Sequence, residues 1–292
     1  MVHNPTTAVG LKGAPGQGRR SSAALRRALL YVSLALAAFA VLLPVIWMLF
    51  TSVKPEHDIL AYPAKLWPTH LTLQNFLDVF RQIPFVRQFG NTVLFAGGVT
   101  VFSLFFDSMT GYALARLEFP GKRALFLAIL VFLMLPAQVT LIPVYQLLSY
   151  LHLINTFPGL IIPRATNAFG IFFMRQFFLG IPHDMSEAAR IDGAGEFRIY
   201  ARVVLPLATP ALLTLGLFHL MFNWNDLLWP LVLTTDTNMQ TLPAGLASFM
   251  GEHVVQYGLL MAGATMAMVP MLLAFLFVQR RFIEGIATTG LK

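Results

Sequence analysis

The sequence predicts an all-α membrane protein, a polytopic bundle of six transmembrane helices with both termini in the cytoplasm. Three observations predict this fold class: an apolar composition, six apolar stretches of membrane-spanning length, and an uneven distribution of Lys and Arg. Of the 292 residues, 57% are hydrophobic and 11% are charged, and the mean hydropathy is +0.70. Soluble domains carry about 25% charged residues. This chain has too few charges to cover a water-facing surface, so we expect lipid to surround it.

The apolar stretches define the expected helices. A helix that crosses a bilayer needs about 20 apolar residues. Six stretches meet this requirement, and in chain order they are residues 28–50, 91–115, 124–145, 157–178, 207–232 and 257–278. Several of them contain Pro or Gly, which membrane bundles tolerate because neighbouring helices satisfy the freed backbone groups.

The basic residues set the expected orientation. With the N-terminus inside, the cytoplasmic side holds 15 of the 20 Lys and Arg residues when Arg175, at the inner end of the fourth stretch, is counted with it, and the outer segments hold 4. Such an excess of positive charge marks the cytoplasmic side. The first stretch also resembles a signal peptide, since Arg26 and Arg27 precede it and Ala38-Phe39-Ala40 resembles a cleavage site. It continues to Phe50, however, which is too long for the apolar region of a signal peptide.

The chain divides into two expected regions. Residues 1–27 are rich in Gly, Ala, Ser and Pro and predict a flexible, basic cytoplasmic tail. Residues 28–292 form the transmembrane domain. The tail contains Gly13-Ala14-Pro15-Gly16-Gln17-Gly18-Arg19, which has glycines spaced as in a phosphate-binding loop but lacks its Lys and Ser/Thr. We therefore expect the chain to bind no ATP and to use no cofactor.

Other function classes are excluded by similar arguments. The net charge of +7 arises from short basic clusters between apolar runs, which argues against nucleic-acid binding. The sequence has no Cys, and its seven His residues form no metalloprotease motif or close pair. No nucleophile elbow occurs either. We therefore expect no catalytic residues, no metal site and no enzymatic activity.

The most informative segment is the inner loop at about 182–206. Pro182 and Asp184 or Ser186 indicate the start of a helix. Gly193 indicates its end, because Gly readily takes the left-handed conformation. A second short helix should run from Glu196 to about residue 204, before a proline, which completes a helical hairpin at the cytoplasmic face.

The chemistry of the first helix suits docking of a soluble partner. Ala188 is small, and Met185, Ala189 and Ile191 offer apolar contacts between the charges of Glu187 and Arg190. The alternative is a loop helix that packs only on its own bundle.

The spacing of this loop resembles the signature of inner-membrane permeases of binding-protein-dependent ABC importers. The match comprises Glu187, Ala188, Ala189, Gly193, Val203, Leu205 and Pro206, with Val203 where Ile is usual. The resemblance extends over nearly the whole chain after residue 28. The further motifs are similar to those of the maltose-type carbohydrate permeases: Gly111-Tyr112-Ala113-Leu114-Ala115-Arg116, Phe119-Pro120-Gly121, Ile142-Pro143, Asn155-Thr156, Phe169-Gly170-Ile171-Phe172, Trp224-Asn225-Asp226 and the C-terminal Gly290-Leu291-Lys292.

The resemblance implies an assembly in a bacterial cytoplasmic membrane. A second homologous permease would pair with this chain, two ATP-binding-cassette ATPase subunits would bind below, and an extracytoplasmic solute-binding protein would deliver a sugar. The hairpin would be the coupling element for the ATPase. Its residues are Glu187, Ala188, Ala189, Arg190, Asp192, Gly193, Leu205 and Pro206. Oligosaccharides, disaccharides and polyol or glycerol-phosphate compounds all fit this group.

Polar and aromatic residues within the spans are candidates for the substrate pathway. They are Arg164, Asn167, His219, Phe222, Asn223, Trp224 and Asp226. Several of those in the fifth span have helical spacing on one face, where they could contact hydroxyl groups and stack on sugar rings. The alternative is that these groups only bond neighbouring helices.

Two acidic residues in the spans need partners. At 1.5 Å per residue, Arg164 and Asp226 should lie at similar depth, and we expect them to pair or to line the outer cavity. Asp107 lies deeper, with an inner arginine such as Arg202 as its suggested partner.

Two other function classes remain. A single-chain secondary transporter would be expected to show inverted repeats or paired broken helices, and we find no convincing internal repeat. An intramembrane enzyme would need several titratable groups at one depth, for which Arg164, His219 and Asp226 are partial candidates.

Overall fold

The computed structural model describes residues 17–62, 65, 67–251 and 255–289, with side chains placed between residues 25 and 279. Within these residues all regular elements are helical. They are α1 Gln17–Ser52, α2 Glu56–Ile59, α3 Gln74–Gln82, α4 Phe85–Arg116, α5 Lys122–Met134, α6 Ala137–Tyr150, α7 Phe157–Ile161, α8 Ala168–Leu179, α9 Asp184–Ile191, α10 Glu196–Ile199, α11 Leu205–Leu207, α12 Thr209–Trp224, α13 Leu228–Leu233, α14 Leu242–Leu246 and α15 Tyr257–Thr289. Short 3₁₀ helices follow α7 and α14, and a π-helical turn joins α10 to α11.

The chain forms two compact units, Met1–Phe50 and Thr51–Lys292. In the first unit, the described residues belong to α1, whose apolar side chains between Leu25 and Leu43 are exposed, as expected of a lipid-facing helix. Residues 1–16 of the predicted tail lie outside the described part of the chain. Residues 17–27 belong to α1, which begins earlier than composition indicates because Ala, Leu and Arg are strong helix formers.

Three helices in the described residues are long and apolar enough to cross a membrane, within Leu25–Ser52, Phe85–Arg116 and Tyr257–Gln279. Up to five qualify if each of two bent pairs is one crossing. The fourth expected span differs from a continuous helix. It contains α7, the 3₁₀ turn Ile162–Arg164 and the 12-residue α8.

The third expected span, 124–145, is bent by 99° between α5 and α6. Leu135 takes an extended conformation at the bend, because the ring of Pro136 disfavours a helical residue before it. A second bend of 81° separates the segment Glu196–Leu207 from α12.

The second unit contains a hydrophobic cluster that positions the functional site. Tyr112 of α4, Phe178 of α8, Ile199 of α10 and Leu215 of α12 pack together, and the ring of Tyr200 joins them. This cluster packs α8 and α12, the helices before and after the hairpin at 182–206, against α4. A separate cluster packs α4 and α7 against α13 through Phe95, Leu160 and Trp229, among other residues.

Candidate functional site

The hairpin begins with α9, which ends as predicted beside a glycine. Gly193 has a φ of 78°, in the left-handed region. Its N–H donates to the carbonyl of Arg190 at 3.0 Å, and the N–H of Ala194 donates to the carbonyl of Ala189 at 3.0 Å. Together these bonds satisfy carbonyls that the end of the helix leaves without partners. The turn therefore fixes the second arm relative to α9.

The two faces of α9 differ. Ile191 is 87% exposed and Met185 is 46% exposed, and Ala188 lies on the same open face. Ser186 is buried on the opposite face. Ala189 packs against the hydrophobic cluster of the chain itself. Ala189 is therefore half-buried and offers less outward surface than Ala188, which lies about 100° away on the helix.

The remaining coupling candidates fall on both sides of the hairpin. Glu187 and Asp192 are exposed, and Arg190 is 40% exposed at its side chain. Leu205 packs on the hydrophobic cluster, while Pro206 is exposed.

The second arm is longer than predicted. It continues as α10, a π-helical turn at Tyr200–Val204 and α11, and it ends at Leu207 instead of before Pro206. Proline is tolerated there because it lies in the first turn of α11, where helices accommodate a missing N–H.

The hairpin is attached to the inner end of α4 by polar contacts. The carboxylate of Glu196 accepts from Arg190 Nε at 2.7 Å through Oε1 and from the Tyr112 hydroxyl at 2.9 Å through Oε2. The hydrogen bond to this carboxylate raises the pKa of Arg190 above its usual range, so the guanidinium stays charged. Arg116 donates to the carbonyl oxygens of Phe178 and Ile181, immediately before the hairpin.

A second polar group lies where the 3₁₀ turn Ile162–Arg164 meets the end of α12, and there Arg164 and Asp226 form the expected pair. Arg164 Nη1 lies 2.6 Å from Asp226 Oδ2 and donates to Asn223 Oδ1 at 3.1 Å. The Arg164 guanidinium carbon is 5.0 Å from the centre of the Trp229 ring. Both charges are largely shielded from solvent, and each is satisfied by the other and by neighbouring groups.

Asp107 has different partners from the one suggested by sequence. Its side chain is fully buried and accepts from the Thr166 hydroxyl at 2.7 Å and from the backbone N–H of Asn167 at 2.9 Å. Its second oxygen lies 3.0 Å from His219 Nε2. The suggested pairing with Arg202 is wrong, because Thr166, Asn167 and His219 occupy both oxygens of the carboxylate.

Asn223 connects the polar group around Asp107 with the pair of Arg164 and Asp226. Asn223 donates from its amide nitrogen to the carbonyl of His219 at 2.8 Å, while its amide oxygen accepts from Arg164. The series Asp107, His219, Asn223, Arg164 and Asp226, which we call the membrane polar chain, therefore joins α4, the 3₁₀ turn after α7 and α12 with the residues that follow it. Each side chain in it is occupied by another protein group.

The pathway candidates in the fifth span do not share one face. Phe222 is 74% exposed, whereas His219 and Asn223 are buried. The Trp224 indole N–H donates to the carbonyl of Ala267 at 3.1 Å, which attaches α12 to α15. Asn167 is exposed, and its side-chain oxygen caps α8 by accepting from the N–H of Phe169. The expectation of one face grouped Phe222 with Asn223, although adjacent residues of a helix point about 100° apart.

Sequence reasoning missed the contacts of Asp107 and Tyr112. The sequence did contain a signal for the contact between Asp107 and His219. Asp107 is the one acidic residue in its expected span, and His219 is the one histidine in the six stretches. Measured from the cytoplasmic ends, the two lie about 12 and 18 Å deep at 1.5 Å per residue. No comparable signal marked Tyr112 and Glu196, which lie on different elements far apart in the sequence. Among the described residues, no group of three His, Asp or Glu side chains could hold a metal ion.

Comparison with known proteins identifies the family. Residues 107–287 match the family described as the binding-protein-dependent transport system inner membrane component. The chain belongs to this family. It is thus a transport component of a multi-pass membrane system, and its long apolar helices agree with that placement.

Individual permeases of this family resemble the chain over most of its length. It is 36% identical to the arabinooligosaccharides transport system permease protein AraQ of Halalkalibacterium halodurans, over 94% of this chain and 99% of the relative. It is 34% identical to the diacetylchitobiose uptake system permease protein NgcG of Streptomyces coelicolor, over 96% of this chain and 92% of the relative. A crystal structure of a bacterial ABC transporter that imports the acidic polysaccharide alginate contains a chain with a TM-score of 0.77 and 25% identity, covering 93% of this chain and 100% of that one.

Proposed function

We propose that this chain is the permease subunit of an ATP-binding-cassette importer that carries a carbohydrate across a bacterial cytoplasmic membrane. In this assembly it crosses the bilayer six times with both termini in the cytoplasm. A second homologous permease completes the pathway, two ATPase subunits bind the cytoplasmic face, and an extracytoplasmic binding protein delivers the sugar. The chain itself performs no ATP hydrolysis.

The observation that carries this proposal is the two-faced helix α9. Its outer face presents Met185, Ala188 and Ile191 to solvent, an arrangement that is unfavourable without a partner. Its inner face is packed into the bundle and its end is fixed by the turn at Gly193. A short helix attached in this way can receive a rigid-body displacement from a soluble protein and pass it to the spans.

The mechanism that follows is alternating access. ATP binding closes the ATPase pair, the displacement enters through α9, and the two permeases rotate so that a central cavity opens alternately to each side. ATP hydrolysis resets the assembly. This chain contributes half of the cavity wall and transmits motion.

A carbohydrate is the substrate class supported by the relatives, which are named for arabinooligosaccharides and diacetylchitobiose, and by the structural neighbour that imports alginate. The charge of Arg164 is neutralised by Asp226, so this arginine offers no free cation to the substrate. Phe222 is the pathway candidate whose ring is open for stacking on a sugar. We assign the membrane polar chain to the framework of the pathway.

The docking assignment is tested by Ile191→Asp. Ile191 is so exposed that its replacement removes little packing from the isolated subunit. We expect the variant to enter the membrane normally but to bind the ATPase subunits at least about tenfold more weakly, as found for central apolar residues of interfaces. Co-purification and titration of the ATPase subunit onto the detergent-solubilised permease pair measure the effect.

The matched control is Leu71→Asp in the outer segment, since Leu71 is also highly exposed. It introduces the same charge on the opposite side and should leave ATPase binding unchanged. Equal binding by the Ile191 variant and the wild type would refute the docking role. Proteoliposomes that contain this chain alone should not accumulate arabinotriose or diacetylchitobiose, and accumulation would favour the secondary transporter.

A further inference from the structure

Glu196 occupies a branching point between the docking helix and the membrane domain. It is the first residue of α10, immediately after the turn that closes α9. One carboxylate oxygen accepts from Arg190 on α9, and the other accepts from Tyr112 on α4. A single side chain therefore connects the helix proposed to dock the ATPase with the second span.

The Tyr112 end of this connection is rigid. The ring is buried and packs edge-on against Phe178 at a centroid distance of 6.0 Å, and it lies 5.3 Å from the ring of Tyr200. Because these neighbours enclose the ring, the hydroxyl group has a fixed position on α4. The carboxylate is thus held from the membrane side by a group that cannot follow the hairpin if the hairpin rotates.

A second attachment lies one helical turn along α4. Tyr112 and Arg116 are four residues apart and share one face of the helix. Arg116 holds the carbonyl oxygens of Phe178 and Ile181 immediately before the hairpin, while Tyr112 holds its second arm through Glu196. One turn of α4 therefore contacts both the chain that enters the hairpin and its second arm.

The ion pair of Arg190 and Glu196 adds little stability, since both side chains are about 40% exposed and solvent screens the charges. Its geometric effect is larger than its energetic effect. The turn at Gly193 already sets the position of the second arm relative to α9. The ion pair adds a side-chain link by which a displacement of α9 reaches the carboxylate that Tyr112 holds on α4.

We propose that Glu196 is a positioning residue that makes displacement of the docking helix move the second span. The proposal rests on the docking function of α9. If the Glu196 contact to Tyr112 is lost, the ATPase subunits still bind to Met185, Ala188 and Ile191, but part of the motion is dissipated within the hairpin. Hydrolysis then continues with less transport per ATP.

The test is Tyr112→Phe, which removes the donor and keeps the ring. The importer complex, with its second permease, ATPase subunits and binding protein, is reconstituted in proteoliposomes. Uptake of arabinotriose or diacetylchitobiose, whichever the wild type transports, is measured together with ATP hydrolysis. We expect unchanged ATPase binding and an amount of sugar transported per ATP that falls about fivefold or more, as for typical coupling free energies.

The matched control is Tyr200→Phe. The Tyr200 hydroxyl also bonds to α4, at 2.7 Å from Ser108 Oγ, but it makes no link to α9 in the described contacts. We expect this variant to keep the wild-type ratio of transport to hydrolysis. Equal uncoupling by both variants would overturn the proposal, because it would indicate a general loss of packing.

A further variant covers the case in which Tyr112→Phe fails to fold. Glu196 is half-exposed, so Glu196→Ala should fold and should also lower the ratio of transport to hydrolysis. A wild-type ratio in Glu196→Ala, with normal ATPase binding, would refute the positioning role and leave the docking function intact. Failure of the wild-type permease pair to bind any ATPase subunit would instead refute the proposed function.

Discussion

Removal of the Asp107 carboxylate should weaken the membrane bundle more than removal of any exposed charge. The side chain is fully buried and accepts three hydrogen bonds, from Thr166, Asn167 and His219. In Asp107→Ala, all three groups lose their partner. Removing one member of a buried ionic group typically costs 3–5 kcal/mol, roughly, because the other members stay buried without partners.

The expected value lies at the lower end of this range. Thr166 and Asn167 are exposed and can turn to other partners, whereas His219 is buried and cannot. We therefore expect Asp107→Ala to lower the free energy of unfolding by about 3 kcal/mol. Asp107→Asn keeps an acceptor of similar shape and should lower it by about 1–2 kcal/mol.

The assay is equilibrium unfolding of the purified chain in mixed detergent micelles, followed by intrinsic tryptophan fluorescence. The matched control is Asp78→Ala, since Asp78 pairs with the exposed Arg81 at the surface of α3. This control should change the free energy of unfolding by less than about 1 kcal/mol. A cost for Asp107→Ala no larger than for the control would refute the reasoning that the carboxylate holds the fourth and fifth spans.

Two further predictions concern other ionic contacts. Arg164→Met and Asp226→Leu should each lower the free energy of unfolding by about 2–4 kcal/mol, because each leaves the partner charge alone. The double variant should recover much of that loss, since it leaves neither charge behind. Additive losses in the same assay would contradict the pairing. The outer segment depends on Asp58, whose pKa is held below its usual range chiefly by the hydrogen bond from Lys65 and also by those from Thr69. Because the folded-state pKa is lowered, this contribution is present above the ordinary carboxyl pKa of about 4 and is lost as the pH falls through the folded-state value. Asp58→Asn should therefore make residues 51–90 more sensitive to protease at pH 7, with a difference that shrinks in acid; an equal difference at all pH values would exclude the ionised carboxylate as its cause.

The long helices and the hairpin could be predicted because each depends on local sequence. Apolar length alone locates α4 and α15, and the end of α9 follows from the conformational freedom of Gly193. The bends depend on packing that the sequence does not state. Pro136 bends its helix by 99°, whereas Pro143 and Pro270 lie inside helices that continue past them. Proline removes a backbone bond in each case, and the surrounding helices decide whether the chain turns.

The polar contacts also divide into those that the sequence predicts and those that depend on packing. Equal depth was sufficient to pair Arg164 with Asp226, because both charges are costly in a membrane and few partners exist. Depth was not sufficient for Asp107, whose ligands include a backbone N–H at Asn167. That N–H is available only because the fourth expected span is interrupted before α8. The expectation of one helix over 157–178 gave too little weight to the non-apolar run at 163–167.

The contacts of α4 with α8 also indicate which parts of the chain move together. Asp107 accepts from Asn167 at the start of α8, and Arg116 donates to Phe178 at its end. A negative group thus lies at the positive end of the helix dipole, and a positive group lies at the negative end. Between them the helices touch closely, since a Cβ atom at Gly170 would overlap the Asp107 carboxylate. A helix held at both ends and along its length by one neighbour has no freedom to slide against it, so α4 and α8 should move as one body. We therefore expect a displacement of α9, as proposed above, to reach the interrupted segment before Asn167, and we expect the change of shape during transport to be concentrated there and at the bend before α12.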